Sequence, residues 1–334
     1  MRGSRILLGV VALVLAAPAG AQAPGYRLAT SRILAEGRAA SALFANGHGG
    51  RLYAKFTPEF RAQVSQLQLI QTIGSTLGQA RIGRALRESA LPLAPDEGVY
   101  QGDYRWGKKI LAITLVFDAH GRISGGLTQE RKKLPPDVHA GYRQRVKLRL
   151  PFKGTWWVFW GGPTELQNYH VVAPDQRHAW DILVWRNGGT HRGDGKHLTD
   201  YWAFGRPVLA PAPAKVIEVV KRLPDNAPGH MDSEHAAGNH VVLDLGHGEY
   251  ALIAHLERGS VAVKVGDRVR TGQLVGRCGN SGNTSEPHVH IHVQDGPILF
   301  LYKGLPVAFS DYFADGERVA HGVPLQGQFV RNAP

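Results

Sequence analysis

The stretch His288-Val289-His290-Ile291-His292-Val293 alternates imidazole and aliphatic side chains without a break. Successive side chains of a strand point to opposite faces, so this run can form a strand with an aliphatic face for a core and an imidazole face for something else. A surface strand more often carries Thr, Lys or Glu at such positions. A His-x-His pair on one strand face is a good metal chelate, because neutral imidazole is a favoured zinc ligand. On this stretch alone, a metal site and a chance cluster are both open.

The chain has 334 residues, enough for two ordinary domains. It opens with Arg2 and Arg5, a short apolar run from Ile6 to Ala17, and small-residue cleavage patterns ending at Ala21 or Ala23. Residues 1–23 therefore read as a secretory signal peptide, too short for a typical membrane span. No later stretch is apolar enough to cross a bilayer, so no membrane span is expected after cleavage. The expected location is outside the cytoplasm, in the periplasm or the cell envelope. Cys278 is the one cysteine, so no internal disulfide forms, and it reads as a small buried hydrophobe. The formal net charge is +12. No helix-turn-helix, zinc-finger or RNA-binding signature accompanies it, so no nucleic-acid partner is expected. Attraction to an anionic cell envelope accounts for such a charge, as does general solubility.

The fold class expected is α+β. From Thr30 to Gln79 the pattern is helical: "TSRILAEGRAASALFANG" spaces apolar residues by three and four. "FTPEFRAQVSQLQLIQTIGSTLG" begins with Thr57 as N-cap and Pro58 in the first turn, and Gly78 closes it. Strands follow, with Ile110 to Phe117 as the strongest run and Asp118 to Gly121 as a turn. This α+β pattern over residues 24–130 resembles NTF2-like domains and shows no catalytic constellation. Residues 131–144, with Pro135, Pro136 and a charge run, form a candidate linker. From about residue 145 to 330, short β runs alternate with Gly-rich turns, which predicts a β-dominated second domain.

Three pieces of that second domain carry a resemblance. "GNHVVLDLGHGEYALIAHLERGSVAVKVGDRVRTGQLVGRCGNSGNTSEPHVHIHV", Gly238 to Val293, holds a strand pair ending in His255-Leu256 and a terminal Pro287-His288-Val289-His290. "NYHVVAPDQRHAWDI" spans Asn168 to Ile182, and "FGRPVLAPAPAKVIEVV" follows. Together they resemble the M23 family of zinc metallopeptidases, the lysostaphin-type endopeptidases, over roughly residues 145 to 325. Where that family often has Gly, this chain has Ala214 or Lys215, which implies a local turn difference.

The resemblance implies an antiparallel sheet with a substrate groove, a Zn²⁺ cofactor, and metal-activated water that cleaves peptides of peptidoglycan. It implies His170, Asp181 and His290 as zinc ligands, with His255 and His288 as non-ligand catalytic histidines. The residue chemistry agrees, since catalytic zinc commonly takes three N or O ligands and leaves one position open. Asp181 lies between apolar neighbours and needs a cation; a metal serves, and so does an arginine such as Arg177. His178 competes with His170 for the first ligand position, because the short-spaced family pattern has its ligand four residues before the Asp, where Arg177 stands here. His191, Asp194 and His197 read as a solvated loop, His292 as a support for His290, and His240 and His247 have no assigned role. A rival reading is a non-enzymatic binding or activating partner of another wall hydrolase on the same fold. A peptidase of free proteins is a second rival.

Overall fold

The computed structural model describes residues 29–92, 97–131 and 134–334. The expected leader at 1–23 lies outside them. The chain divides into two units, one ending at Lys133 and the other Leu134–Pro334.

Among the described residues of the first unit, four helices precede four strands. The helices are α1 (Thr30–Ala45), α2 (Gly49–Tyr53), α3 (Pro58–Gln63) and α4 (Gln66–Gln79). The strands β1 (Ile82–Pro92), β2 (Gly98–Trp106), β3 (Lys109–Phe117) and β4 (Ile123–Glu130) form an antiparallel meander in chain order. The helix expected to run on from Thr57 is broken in two. Thr57 does cap α3, its side chain accepting from the Phe60 N–H. Ser65 then closes a capping box of its own, accepting from the Gln68 N–H while the Gln68 side chain accepts from the Ser65 N–H. That reciprocal pair starts α4 afresh. Ile33, Phe44, Tyr100, Ile113 and Phe117 fill the core between helices and sheet.

The second unit contains the strands β5 (Trp156–Trp160), β6 (Trp180–Leu183), β7 (Pro207–Leu209), β8 (Ala214–Val220), β9 (Asn239–Gly246) and β10 (Glu249–Leu256). They are followed by β11 (Arg268–Val269), β12 (Leu274–Arg277), β13 (Val289–Gln294), β14 (Phe309–Ala314), β15 (Glu317–Gly322) and β16 (Phe329–Asn332). Ten of them make one antiparallel sheet in the order β11-β8-β9-β10-β13-β6-β5-β16-β14-β15, and β12 pairs with β7. Alternation sorts the central strands. Val289, Ile291 and Val293 of β13, Trp180 and Ile182 of β6, and Ala251 and Ile253 of β10 all join one dry core. Leu252 and Ala254, on the other face of β10, belong to a separate small cluster with Ala237 and Val242. Cys278 packs inside the main core, where burial pushes its thiol up.

Residues 134–144 are engaged with the second unit. The Tyr142 hydroxyl donates to Glu249 Oε1 at 2.8 Å, Gln144 Nε2 donates to the Ala308 carbonyl at 3.0 Å, and His139 pairs with Asp295 at 2.8 Å. Glu249 is fully buried and also accepts from the Arg145 and Val146 N–H groups.

Candidate metal centre

The face of β13 opposite the core carries His290 and His292, and His288 immediately precedes the strand. The neighbouring strands deliver the other groups by register. On one side His290 pairs with Asp181 of β6, and on the other with Ala254 of β10. Cross-strand partners lie close enough for side chains to meet, and His290 Nδ1 is 2.8 Å from Asp181 Oδ1.

His255 reaches the same face by an irregularity. Ile253 faces the core, so strict alternation sends His255 there too. Instead the β9–β10 register shifts between Ile253 and Leu256, and His255 has φ 60. The bulge returns Leu256 to the core and turns the imidazole to the site. Its ring centre lies 4.8 Å from that of His288 and 5.7 Å from that of His290. A non-glycine residue at such a φ is strained, and strain of this kind clusters at functional sites.

His170 arrives on a short 3₁₀ turn, Tyr169–Val172, whose N-cap is Asn168. Buried Asn168 is the piece that sequence reasoning passed over. Its Oδ1 accepts from both the His170 N–H and Nδ1, and its Nδ2 donates to the Arg177 and Ala179 carbonyls. One amide thus ties the turn to the start of β6. Its signal was the Asn two residues before the His, a spacing that suits a cap accepting from the following backbone.

Each imidazole is held by the nitrogen that faces away from the centre. His170 Nδ1 is 2.8 Å from Asn168 Oδ1, and His255 Nδ1 is 2.8 Å from the Ser281 carbonyl. His288 Nδ1 is 2.9 Å from the Glu286 carbonyl, and His290 Nε2 is 3.1 Å from His292 Nδ1. A backbone carbonyl only accepts, so His255 and His288 carry a proton on Nδ1, and Nε2 is the lone-pair nitrogen of each neutral ring. His170 Nε2 points 3.5 Å from Asp181 Oδ2 and has no hydrogen-bond partner although buried. A buried nitrogen without a partner is costly, and a cation satisfies it.

Two groupings of potential ligand atoms, each within 4.8 Å, share His290: His170 with Asp181 and His290, and His255 with His288 and His290. The first grouping has the two imidazoles and one carboxylate of a common catalytic zinc set. Burial pushes His170 down to about 4 and His292 down to about 3, so both rings are neutral at ordinary pH. Burial opposes the charge of Asp181, but the surrounding His170 and His288 hold its carboxyl well below the usual range. Burial also opposes the charge of His288, yet Asp181, 3.4 Å away, outweighs it and raises the ring. An ionised carboxylate among inward lone pairs is a donor set that fits a divalent cation.

The rival residues lie elsewhere. His178 turns to Asp137, at 3.2 Å, and the Arg177 guanidinium donates to the Pro135 carbonyl rather than to Asp181. Asp194 pairs with the exposed Lys196 at 2.7 Å, and the His191 ring packs at a tilt against Tyr201. His240 bonds the Gly238 carbonyl and Glu218.

Residues 197–300 match the family model of peptidase family M23. That span includes His255, His288 and His290; His170 and Asp181 lie before it. A 76-residue stretch is 34% identical to the peptidoglycan DD-endopeptidase ShyA of Vibrio cholerae, covering 22% of this chain and 17% of that relative. The chain thus matches less than a fifth of the length of this curated relative. Among solved structures, the chain is similar to a catalytic-domain mutant of the prophage-encoded M23 protein EnpA from Enterococcus faecalis. That likeness has 19% identity, a TM-score of 0.31 and coverage of 47% of this chain and 93% of that one. It is also similar to a zinc-containing peptidase from Vibrio cholerae, with 18% identity, a TM-score of 0.30 and coverage of 67% and 59%.

Proposed function

We propose, from a second unit whose residues 197–300 match peptidase family M23, that the chain is an exported zinc endopeptidase acting on peptides of peptidoglycan. One observation carries the reading: in a buried cluster His170 Nε2 lies 3.5 Å from one Asp181 oxygen and His290 Nδ1 2.8 Å from the other. The residue type at each position suits zinc. Bound there, zinc would supply a Lewis acid for the scissile carbonyl and acidify the attacking water.

The protein's own residues do the rest. Asp181, His170 and His290 hold the cation. His288 and His255 keep Nδ1 on backbone carbonyls and offer Nε2 to the reacting atoms. In that state His288 orients the attacking water and takes its proton. His255, on the next strand, approaches from the opposite side and assists, and once protonated either ring donates to the developing oxyanion. A signal peptide and a basic chain suit a carboxylate-rich wall. In this reading the first unit, of NTF2-like pattern, is a binding or spacing module, and residues 131–144 join it to the catalytic domain.

The test is to incubate the zinc-loaded protein with purified sacculi and identify released fragments by mass spectrometry. Fragments ending at a cut peptide bond are expected, and they disappear with chelator. Intact sacculi beside a zinc-loaded, folded protein would overturn the wall-endopeptidase reading and favour a binding partner of another hydrolase.

A further inference from the structure

His292 is a third imidazole on the site face of β13, buried, and unused by the chemistry above. It is the middle member of a chain of contacts. His290 Nε2 lies 3.1 Å from His292 Nδ1, and His292 Nε2 lies 3.1 Å from Gln294 Oε1. Gln294 Nε2 donates to the Gly296 carbonyl at 2.7 Å and to the Ile298 carbonyl at 3.3 Å.

The far end fixes the direction of the whole chain. Carbonyl oxygens only accept, so the Gln294 amide must turn its NH₂ to Gly296 and Ile298. Its Oε1 is then left facing His292, and it too only accepts. His292 therefore carries its proton on Nε2, and its Nδ1 is a bare acceptor. That acceptor faces His290 Nε2, which must hold a proton. In the neutral ring that can bind a metal, His290 Nδ1 is then the nitrogen with the lone pair, facing the ionised Asp181 Oδ1 2.8 Å away. Two electron pairs that close repel unless a proton or a metal cation lies between them. The opposite tautomer would let His290 Nδ1–H bond Asp181 and close both groups to metal. It would also turn His292 Nε2 bare against Gln294 Oε1, a buried clash of acceptors.

We propose that His292 and Gln294 are positioning residues that hold His290 in its Nε2–H tautomer and so reserve its Nδ1 for the metal. This rests on the zinc reading given above. Hydrogen-bond partners that fix a ligand's tautomer are typically worth about 10- to 100-fold in metal affinity.

The test uses the full chain loaded with zinc. Long-range ¹H–¹⁵N spectra should show His290 protonated at Nε2 and His292 protonated at Nε2 with a bare Nδ1. Zinc affinity is then measured by chelator competition. His292→Leu should bind zinc about 10- to 100-fold more weakly. His292→Asn, which keeps an oxygen where Nδ1 stood, should recover most of that loss. Should His292→Leu fail to fold, Gln294→Met serves, and it should let His292 populate the Nδ1–H form and weaken zinc. A His292 protonated at Nδ1 in the unaltered protein, or unchanged zinc affinity in the folded variants, would overturn the proposal while leaving the zinc reading standing. Absence of zinc binding by the unaltered protein would overturn both.

Discussion

His170 holds one ring nitrogen on Asn168 and turns the other to Asp181 within the His–Asp cluster, while His178, eight residues on, turns its ring to Asp137 outside it. Removing each therefore has different consequences. His170→Ala should strip most of the zinc, and His178→Ala should leave it in place, as read by metal content after dialysis. The reverse pattern would mean that the first ligand has been misassigned. His255→Ala and His288→Ala should keep zinc and lose turnover on sacculi by about 10²- to 10⁴-fold, the usual worth of a general acid or base. The fall should lie in kcat with little change in KM, since neither ring is needed to hold the ground state. Normal digestion by zinc-loaded His288→Ala would remove that ring from the mechanism. The candidate ligand types were legible in the sequence because the "PHVHIHV" alternation and the apolar setting of Asp181 each demand an explanation. The tautomers were not, because they depend on Asn168, Ser281, Glu286 and Gln294, whose contacts arise only in the folded chain.

Strand β10 shows what periodicity alone mispredicts. Its alternation places Ile253 in the core, and by the same count His255 as well; the bulge before Leu256 reverses that. A register shift leaves no mark in a hydrophobic pattern, so the motif around His255 pointed to the cluster while its backbone remained hidden. Likewise the break between α3 and α4 follows from a capping box at Ser65 that an unbroken helical pattern had covered. The φ of 60 at His255 gives a direct check. A left-handed residue costs an ordinary side chain about 1–2 kcal/mol and glycine almost nothing. His255→Gly should therefore be more stable to denaturant than His255→Ala by about 1 kcal/mol. Elsewhere in a strand the order is the opposite, so an Ala variant as stable as the Gly variant would count against the bulge.

At the scale of the molecule, the second unit has its own core and contains every proposed ligand. A fragment beginning at Leu134 should fold and bind zinc. One beginning at Lys147 should be weaker, because fully buried Glu249 then loses the Tyr142 hydroxyl and the Arg145 and Val146 N–H groups. Leaving a buried group short of partners costs about 1–3 kcal/mol or more when it is charged. Equal stability of the two fragments in urea would show that residues 134–146 contribute nothing. The β-dominated character of this unit was legible from its short runs and glycine turns. The role of the proline stretch was not, since prolines mark a break in regular structure without saying which surface the chain then follows. Among the described residues no helix is long and apolar enough to cross a membrane. The central claim is the ligand set, and zinc K-edge X-ray absorption on the loaded Leu134–Pro334 fragment tests it most directly. The account predicts one zinc with imidazole nitrogen at about 2.0–2.1 Å and carboxylate oxygen at about 2.0–2.2 Å. A sulfur shell near ~2.3 Å would contradict it, as would a spectrum unchanged by the loss of His170, Asp181 or His290.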